Sequence, residues 1–420
     1  MNNVNNNNIT TQKKNNYGFF ATAMFLVSPI LTVYFAFKNK NEKWSKNILW
    51  FFAIFFGYTL ILTSEGIDGY VYWQDLVIMH QRNTNFNYLK DSIFNSGESV
   101  DFIAPILTYI VSLFTNSAKV LFAVFGLIFG YFYSRLIWYL IKNESERLSF
   151  NKILLLTCFA LTNPLWNING FRFWTASIIF VYGVCFYLLN GQKKKKLFII
   201  ILTPLIHFSF SAAVLIFILY IFIGNRTFIY FALFFSTIYY SILNFEFLQN
   251  ISYVYLPEAY NNRVIGYTNE AYGEQVDLRK LSINWYVSIH NIVIIWFTRI
   301  SLLLLFLFRK SIIANNSKFE NLFAFTLLFY SYANVMSNIP SGARFLTIAI
   351  MLTFFILIRY YQYFNIGMKK FIVLGTPILI MFIIVRLRMG FDFINITAIF
   401  GNPMIAFFYE NTMPLIDLIK

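Results

Sequence analysis

The chain has 420 residues, 58% of them hydrophobic and only 12% charged, with a formal net charge of +15. No ordinary soluble domain of this length has that balance, and recurring apolar runs of about 17–25 residues predict an all-α, polytopic integral membrane protein. The positive balance does not point to nucleic acid, because most of it is loop lysine, which in a membrane protein reports topology.

Residues 1–16 form a polar, Asn-rich tail carrying Lys13 and Lys14. The tail has no small-residue cleavage site, so the first apolar segment is expected to be retained, and 17–420 to form one membrane domain. Apolar segments fall near 17–37, 46–64, 119–141, 150–164, 171–190, 197–223, 227–243, 284–308, 319–338, 343–363, 370–388 and 393–409. With 102–115 they predict about 11–13 transmembrane helices, at least one of them re-entrant or broken. Lysine sorts the loops. Lys38, Lys40, Lys43 and Lys46 place the first loop inside and the N-terminus outside. Lys193 to Lys196, then Arg309, Lys310 and Lys318, then Lys369 and Lys370, mark three more inside loops. The segments 65–101 and 244–283 are read as outer loops.

Parity exposes two irregular elements. Only one crossing fits between the outer loop 65–101 and the inside loop 142–152, which carries Lys142, Arg147 and Lys152. The segment 102–115 is too short to span and is read as re-entrant or interfacial. In 197–223, Pro204 and His207 interrupt one long apolar run. Two short crossings with a turn at His207-Phe208-Ser209 restore parity and put His207 at the outer face.

The same side then collects the unusual charges. Arg172 follows the turn Asn163-Pro164-Leu165-Trp166-Asn167-Ile168-Asn169-Gly170 and opens an apolar segment, where a charge costs roughly 2.5–3.5 kcal/mol. Ser337-Asn338-Ile339-Pro340-Ser341-Gly342-Ala343-Arg344-Phe345 repeats that logic: a Pro/Gly turn, then Arg-Phe, then an apolar helix. Each arginine could simply snorkel to the interface; two in like settings suggest an anion, for which the planar guanidinium fork suits phosphate oxygens. Arg386 and Arg388 fall on the same side. Asp68-Gly69-Tyr70-Val71-Tyr72-Trp73-Gln74-Asp75 reads either as an interfacial aromatic belt or as carboxylates and rings for a carbohydrate. Glu98 and Asp101 precede the short segment, where a carboxylate reads as a helix cap or a catalytic acid. His207 beside Ser209 is either a hydrogen-bonded structural histidine or a general base.

Other chemistries lack their residues. Cys158 and Cys185 both lie in apolar segments and read as packing residues, not as a disulfide. His80, His207 and His290 show no ligand spacing, so no metal is expected. No Walker loop or GxGxxG is present, which leaves nucleotide hydrolysis without machinery, and no cofactor is expected.

In these residues the chain resembles the EpsG-like group of Wzy-type polysaccharide polymerases. The resemblance rests on Asp68-x-Tyr70-x-Tyr72, the acid before a short apolar segment, Asn169-Gly170-Phe171-Arg172, His207-x-Ser209 and Gly342-Ala343-Arg344-Phe345, in that order. It implies joining of oligosaccharide repeat units carried on undecaprenyl pyrophosphate, at the outer leaflet of a bacterial cytoplasmic membrane. His207, Arg172 and Arg344 are then the expected catalytic residues, with Asp68 or Glu98 as alternative bases. Asp68, Tyr70, Tyr72, Glu98, Asn169 and Arg388 are the expected substrate-binding set. Membrane lipids, a chain-length regulator and a flippase are the expected partners. A lipid-linked oligosaccharide flippase and an O-antigen ligase remain alternatives. The flippase reading expects internally repeated halves, and no such repeat is visible.

Overall fold

The computed structural model describes residues 18–62, 68–82, 101–142, 148–190, 193–239, 245–255, 258–269, 273–275, 278, 281, 283–409 and 413–419. The tail 1–16, Glu98 and Arg147 lie outside the described residues, as does most of the expected outer loop 65–101. Among the described residues every regular element is a helix, and the one β-type pairing is an isolated bridge between Asn395 and Pro414.

The helices run in order as α1 (Gly18–Val27), α2 (Pro29–Lys38), α3 (Ser45–Tyr58), α4 (Asp68–Gln81), α5 (Ile103–Ser112) and α6 (Ala118–Ile141). After α7 (Phe150–Thr162) a 3-10 turn, Leu165–Gly170, leads into α8 (Phe171–Asn190), followed by α9 (Lys193–Ile201), α10 (Thr203–Ile206) and α11 (Phe210–Ile223). The chain continues through α12 (Thr227–Thr237), α13 (Phe245–Tyr255), α14 (Glu258–Thr268), α15 (Trp285–Asn315), α16 (Lys318–Met336) and α17 (Arg344–Arg359). It closes with α18 (Ile366–Leu374), α19 (Thr376–Gly390), α20 (Ile396–Phe400) and α21 (Pro403–Phe408).

Three stretches are long and apolar enough to cross a membrane: Ala118–Ile141, Phe150–Asn190 and Trp285–Asn315. The pair α18 and α19, bent by 45° at Gly375, makes a fourth if counted as one. This is fewer than the 11–13 helices expected, and the reason is fragmentation. Much of the apolar sequence lies in helices of 10–17 residues, such as α1, α2, α5, α11 and α12. Proline accounts for several of the breaks, since it supplies no N–H and fits only the first helical turn. Pro29, Pro204 and Pro377 each sit at such a helix start.

Phe150–Asn190 is not straight. The Asn163 side-chain amide donates to the Trp174 carbonyl (3.0 Å) and to Ser177 Oγ (2.8 Å). Fourteen residues of uninterrupted helix would separate the latter pair by about 21 Å, so the chain folds back through the 3-10 turn.

The expected break at His207 is present. Lys196 of α9 lies against Tyr182 of α8 on the way out, and on the return Phe210 packs on Phe173 and Phe217 on Tyr187. Thus α9–α10 and α11 form a hairpin with His207, in extended backbone, at its tip. The 10-residue α5 is about 15 Å long, too short to span.

Buried phenylalanines fill the core between these helices. Phe125 of α6 stacks on Phe171 at 4.0 Å, and Phe180 of α8 meets Phe329 of α16 at 5.5 Å. Helices α3 and α6 run antiparallel, and glycines let their backbones touch. A Cβ on Gly57 would collide with the Phe122 carbonyl, one on Gly126 with the Ala53 carbonyl, and one on Gly130 with the Ala53 side chain. Small residues four apart, here Gly126 and Gly130, allow this approach where water supplies no driving force between helices. Backbone carbonyls cannot yield as a side-chain end can, so Gly126→Leu is expected to cost at least about 1–3 kcal/mol by overpacking. Gly266→Leu, which faces open space, is the matched control. Thermal unfolding of the purified protein checks this, and equal midpoints for the two variants would contradict the contact.

Candidate functional site

Arg172, His207 and Arg344 lie together at the end of the helices opposite the lysine-rich loops. The meeting point is Phe173. Its ring takes the His207 imidazole edge-on at 5.4 Å, lies 5.5 Å from Phe345, and has the Arg344 guanidinium over it at 5.8 Å. The two Arg-Phe turns singled out in the sequence are therefore joined through their phenylalanines.

Arg172 is committed on two sides. Its Nε donates to the Tyr72 hydroxyl (2.9 Å), and one terminal amino group donates to Asp101 Oδ2 (3.2 Å). The second Asp101 oxygen accepts from the backbone N–H of Phe208 (2.8 Å), beside the histidine. The neighbouring Phe102 N–H donates to the Leu205 carbonyl (3.0 Å), so Asp101 and Phe102 lie against the His207 hairpin tip. Asp101 stands one position before the N-cap of α5, Phe102, and its partners include the Arg172 cation, a role that neither the cap nor the catalytic-acid reading of the sequence anticipated. Tyr72 is also reassigned. Buried at 5% exposure, its ring and hydroxyl hold Arg172 and do not face outward.

His207 Nδ1 receives the Ser209 N–H (3.3 Å) and lies 2.8 Å from Ser209 Oγ. A ring nitrogen that accepts a backbone N–H carries no proton, so this geometry holds a neutral imidazole with its proton on Nε2. The histidine is thus hydrogen-bonded and also unprotonated at the atom a base would use.

Asp68 opens α4 near Gly170: a Cβ built there would lie 3.5 Å from Asp68 Oδ2 and press on the Trp174 indole. Gly69 in turn leaves room for the Asn169 carboxamide, which any larger residue would displace. Asn169 is buried and its Oδ1 has no hydrogen-bond partner among the described residues. Asp75, one turn beyond Tyr72, also faces Arg172 electrostatically. Burial raises its carboxyl above the usual range, and the Arg172 charge pulls in the opposite direction. Burial likewise raises the Tyr72 phenol, against the same arginine.

Arg344 is different. Ser341 precedes it with φ 65°, a left-handed conformation uncommon for a side-chain-bearing residue, and Gly342 abuts the Met336 carbonyl. This tight turn leaves Arg344 exposed at the start of α17, and no carboxylate among the described residues pairs with it.

The remaining expected residues are not drawn in by these contacts. Tyr70 packs edge-on against Trp73 (5.5 Å). Arg388 pairs with Asp392 of its own turn (3.3 Å) and is half-exposed. Arg386 donates to the Leu161 and Thr162 carbonyls (3.1 and 2.8 Å), capping the C-terminus of α7 as helix charge favours. His80 Nδ1 contacts the Ser112 carbonyl (2.6 Å). Among the described residues no three His, Cys, Asp or Glu converge as a metal site. The pairing of Asp101 with Arg172 was missed in the sequence, where Asp101 read as a helix cap or a catalytic acid; the separation of 71 positions left no local signal.

Removing one partner of a buried ion pair costs about 3–5 kcal/mol, and an exposed pair about 0–1. Asp101 is 4% exposed and Arg172 is 35% exposed, so Asp101→Ala is expected to cost about 2–3 kcal/mol, between those limits. Asp392→Ala, from the exposed Arg388 pair, is expected to cost under about 1 kcal/mol. Thermal or denaturant unfolding of the two variants compares them directly; a smaller loss at Asp101 than at Asp392 would contradict its structural role.

Compared with family models, with curated proteins and with solved structures, the chain matches none. A functional reading therefore has to come from the residues and their geometry.

Proposed function

We propose that the chain is a multi-pass membrane enzyme that joins polyprenyl-pyrophosphate-linked oligosaccharide repeat units into a surface polysaccharide. Membrane embedding is supported by the outward faces of the helices. On α15 only 33% of the most apolar window is buried, and Ile289, Ile292, Ile300 and Leu307 are exposed. Such a contiguous apolar face fits lipid. The lysine-rich end is then cytoplasmic and the Arg172–His207–Arg344 end external.

One observation carries the catalytic reading: Arg344, which has no carboxylate partner among the described residues, shares an aromatic floor with a neutral histidine and a half-occupied arginine. In the reaction an acceptor sugar hydroxyl attacks the donor's anomeric carbon. The bond from that carbon to the pyrophosphate oxygen breaks, and the electron pair leaves with polyprenyl pyrophosphate. The hydroxyl proton passes to His207 Nδ1, the nitrogen now shared with Ser209. Arg344 and the remaining amino group of Arg172 stabilise the charge that develops on the leaving group, where preorganised donors contribute most. Asp68 is the alternative base, and Asn169 offers its buried amide oxygen to a sugar hydroxyl.

Deletion of the gene followed by gel display of surface glycan tests the class. Loss of the long-chain ladder with single repeat units still on the surface is the expected result; loss of all surface glycan would assign flipping instead. At residue level, Arg344→Lys keeps the charge and removes the planar fork. Losing a charge-assisted contact of about 1.5–3 kcal/mol lowers polymerisation roughly ten- to hundredfold at equal membrane abundance. A wild-type ladder from that variant would mean that Arg344 is only an interfacial anchor.

A further inference from the structure

A cavity of about 610 Å³ opens at the lysine-rich end, between the α2–α3 connection, α6, α8 and α17. Lys43, Lys46, Arg135, Lys142 and Arg359 line it, with Glu42 the one carboxylate among the described lining residues. Solvated lysines at such an end are the ordinary topological pattern. The arginines are not explained by it. Arg135 lies six residues inside the end of α6, about 9 Å along the helix. Its guanidinium is held 3.9 Å over Tyr131 and 4.7 Å over Trp50, and its amino groups donate to Ser134 Oγ and Asn47 Oδ1. Arg359 lies over Tyr139 at 5.4 Å. Beside the cavity Lys196, 6% exposed, donates to the Tyr182 hydroxyl (2.9 Å).

Ring faces attract cations and fix their position without neutralising them. Among the described residues none of the five lining cations is ion-paired. Five cations gathered about one cavity, with Glu42 the one described carboxylate among them, favour the entry of an anion. Arginine forks set among lysines are the donor set that phosphate oxygens accept best.

We propose that this cavity is a second anion site, separate from the Arg344 end and independent of the polymerase reading, that takes a phosphate-bearing group. Two sources have this chemistry: the headgroup of an anionic phospholipid, or a free phosphate compound. The full chain in phosphatidylcholine nanodiscs, titrated with inorganic pyrophosphate and followed by thermal midpoint, tests the free source. Native mass spectrometry after exposure to phosphatidylglycerol tests the lipid source. A positive result in either arm supports the site and names its source. In that arm Arg135→Gln with Arg359→Gln is expected to weaken binding at least tenfold, while Lys370→Gln, at the same end but outside the cavity, leaves it unchanged. If the double variant shows no folded transition, Arg359→Gln alone makes the comparison. Absence of binding in both arms, or equal binding by the arginine variants, overturns the proposal.

Discussion

A carboxylate that is 4% exposed needs cations and N–H donors in place of water, and at Asp101 those include Arg172 and the Phe208 amide. Both bonds are long-range, spanning 71 and 107 positions. Through them the segment before α5, the start of α8 and the tip of the His207 hairpin become one unit. Tyr72 adds α4 to it. The Asp101–Arg172 pair thus helps to fix the position of His207, together with the Phe102–Leu205 backbone bond beside it. Nearby hydrophobic packing cannot replace it, because apolar contacts have little directional preference and this tip needs a fixed orientation.

The aromatic floor has the complementary role. Phe173 touches Phe210 and Phe345 as well as His207, so α8, α11 and α17 converge on a single ring. Edge-to-face pairs of this kind contribute about 0.5–1.5 kcal/mol each beyond their buried area. The Arg-Phe order in both turns has a physical reason. The phenylalanine enters the core at the first helical turn, and the arginine beside it stays at the helix end.

Much of this was legible from local pattern. Pro204 and His207 in an apolar run marked the hairpin tip, and the two Pro/Gly-Arg-Phe turns marked the helices that meet at Phe173. The length of 102–115 already ruled out a span. What local pattern could not carry was partnership. Asp101 looked like a cap because it precedes a helix, Tyr72 like a ligand-facing ring because aromatic neighbours surround it, and Arg386 like an outer-surface charge. Each is instead occupied by a group more than sixty positions away in the chain: Arg172 for Asp101 and Tyr72, and the end of α7 for Arg386. The helix count also departed from the hydropathy reading, because runs that are apolar by composition are cut by Pro and Gly into pieces shorter than a bilayer.

The two arginines of the candidate site consequently do different work. Arg172 uses Nε toward Tyr72 and a terminal amino group toward Asp101, two directions set by one rigid plane. Lysine could satisfy one of them, not both, so arginine is required at this position for architecture before any substrate is considered. Arg344 has no such internal obligation: its helix packs through Phe345, and its turn is shaped by Ser341 and Gly342. With no carboxylate partner among the described residues and an exposed place after a left-handed turn, Arg344 is the one of the two that the proposed function assigns to an external anion. An anion drawn to Arg344 would lie over the ring that also holds His207. Phe173 is thus the shared contact of Arg344 and His207, and Arg172, its neighbour in the chain, is held by Tyr72 and Asp101.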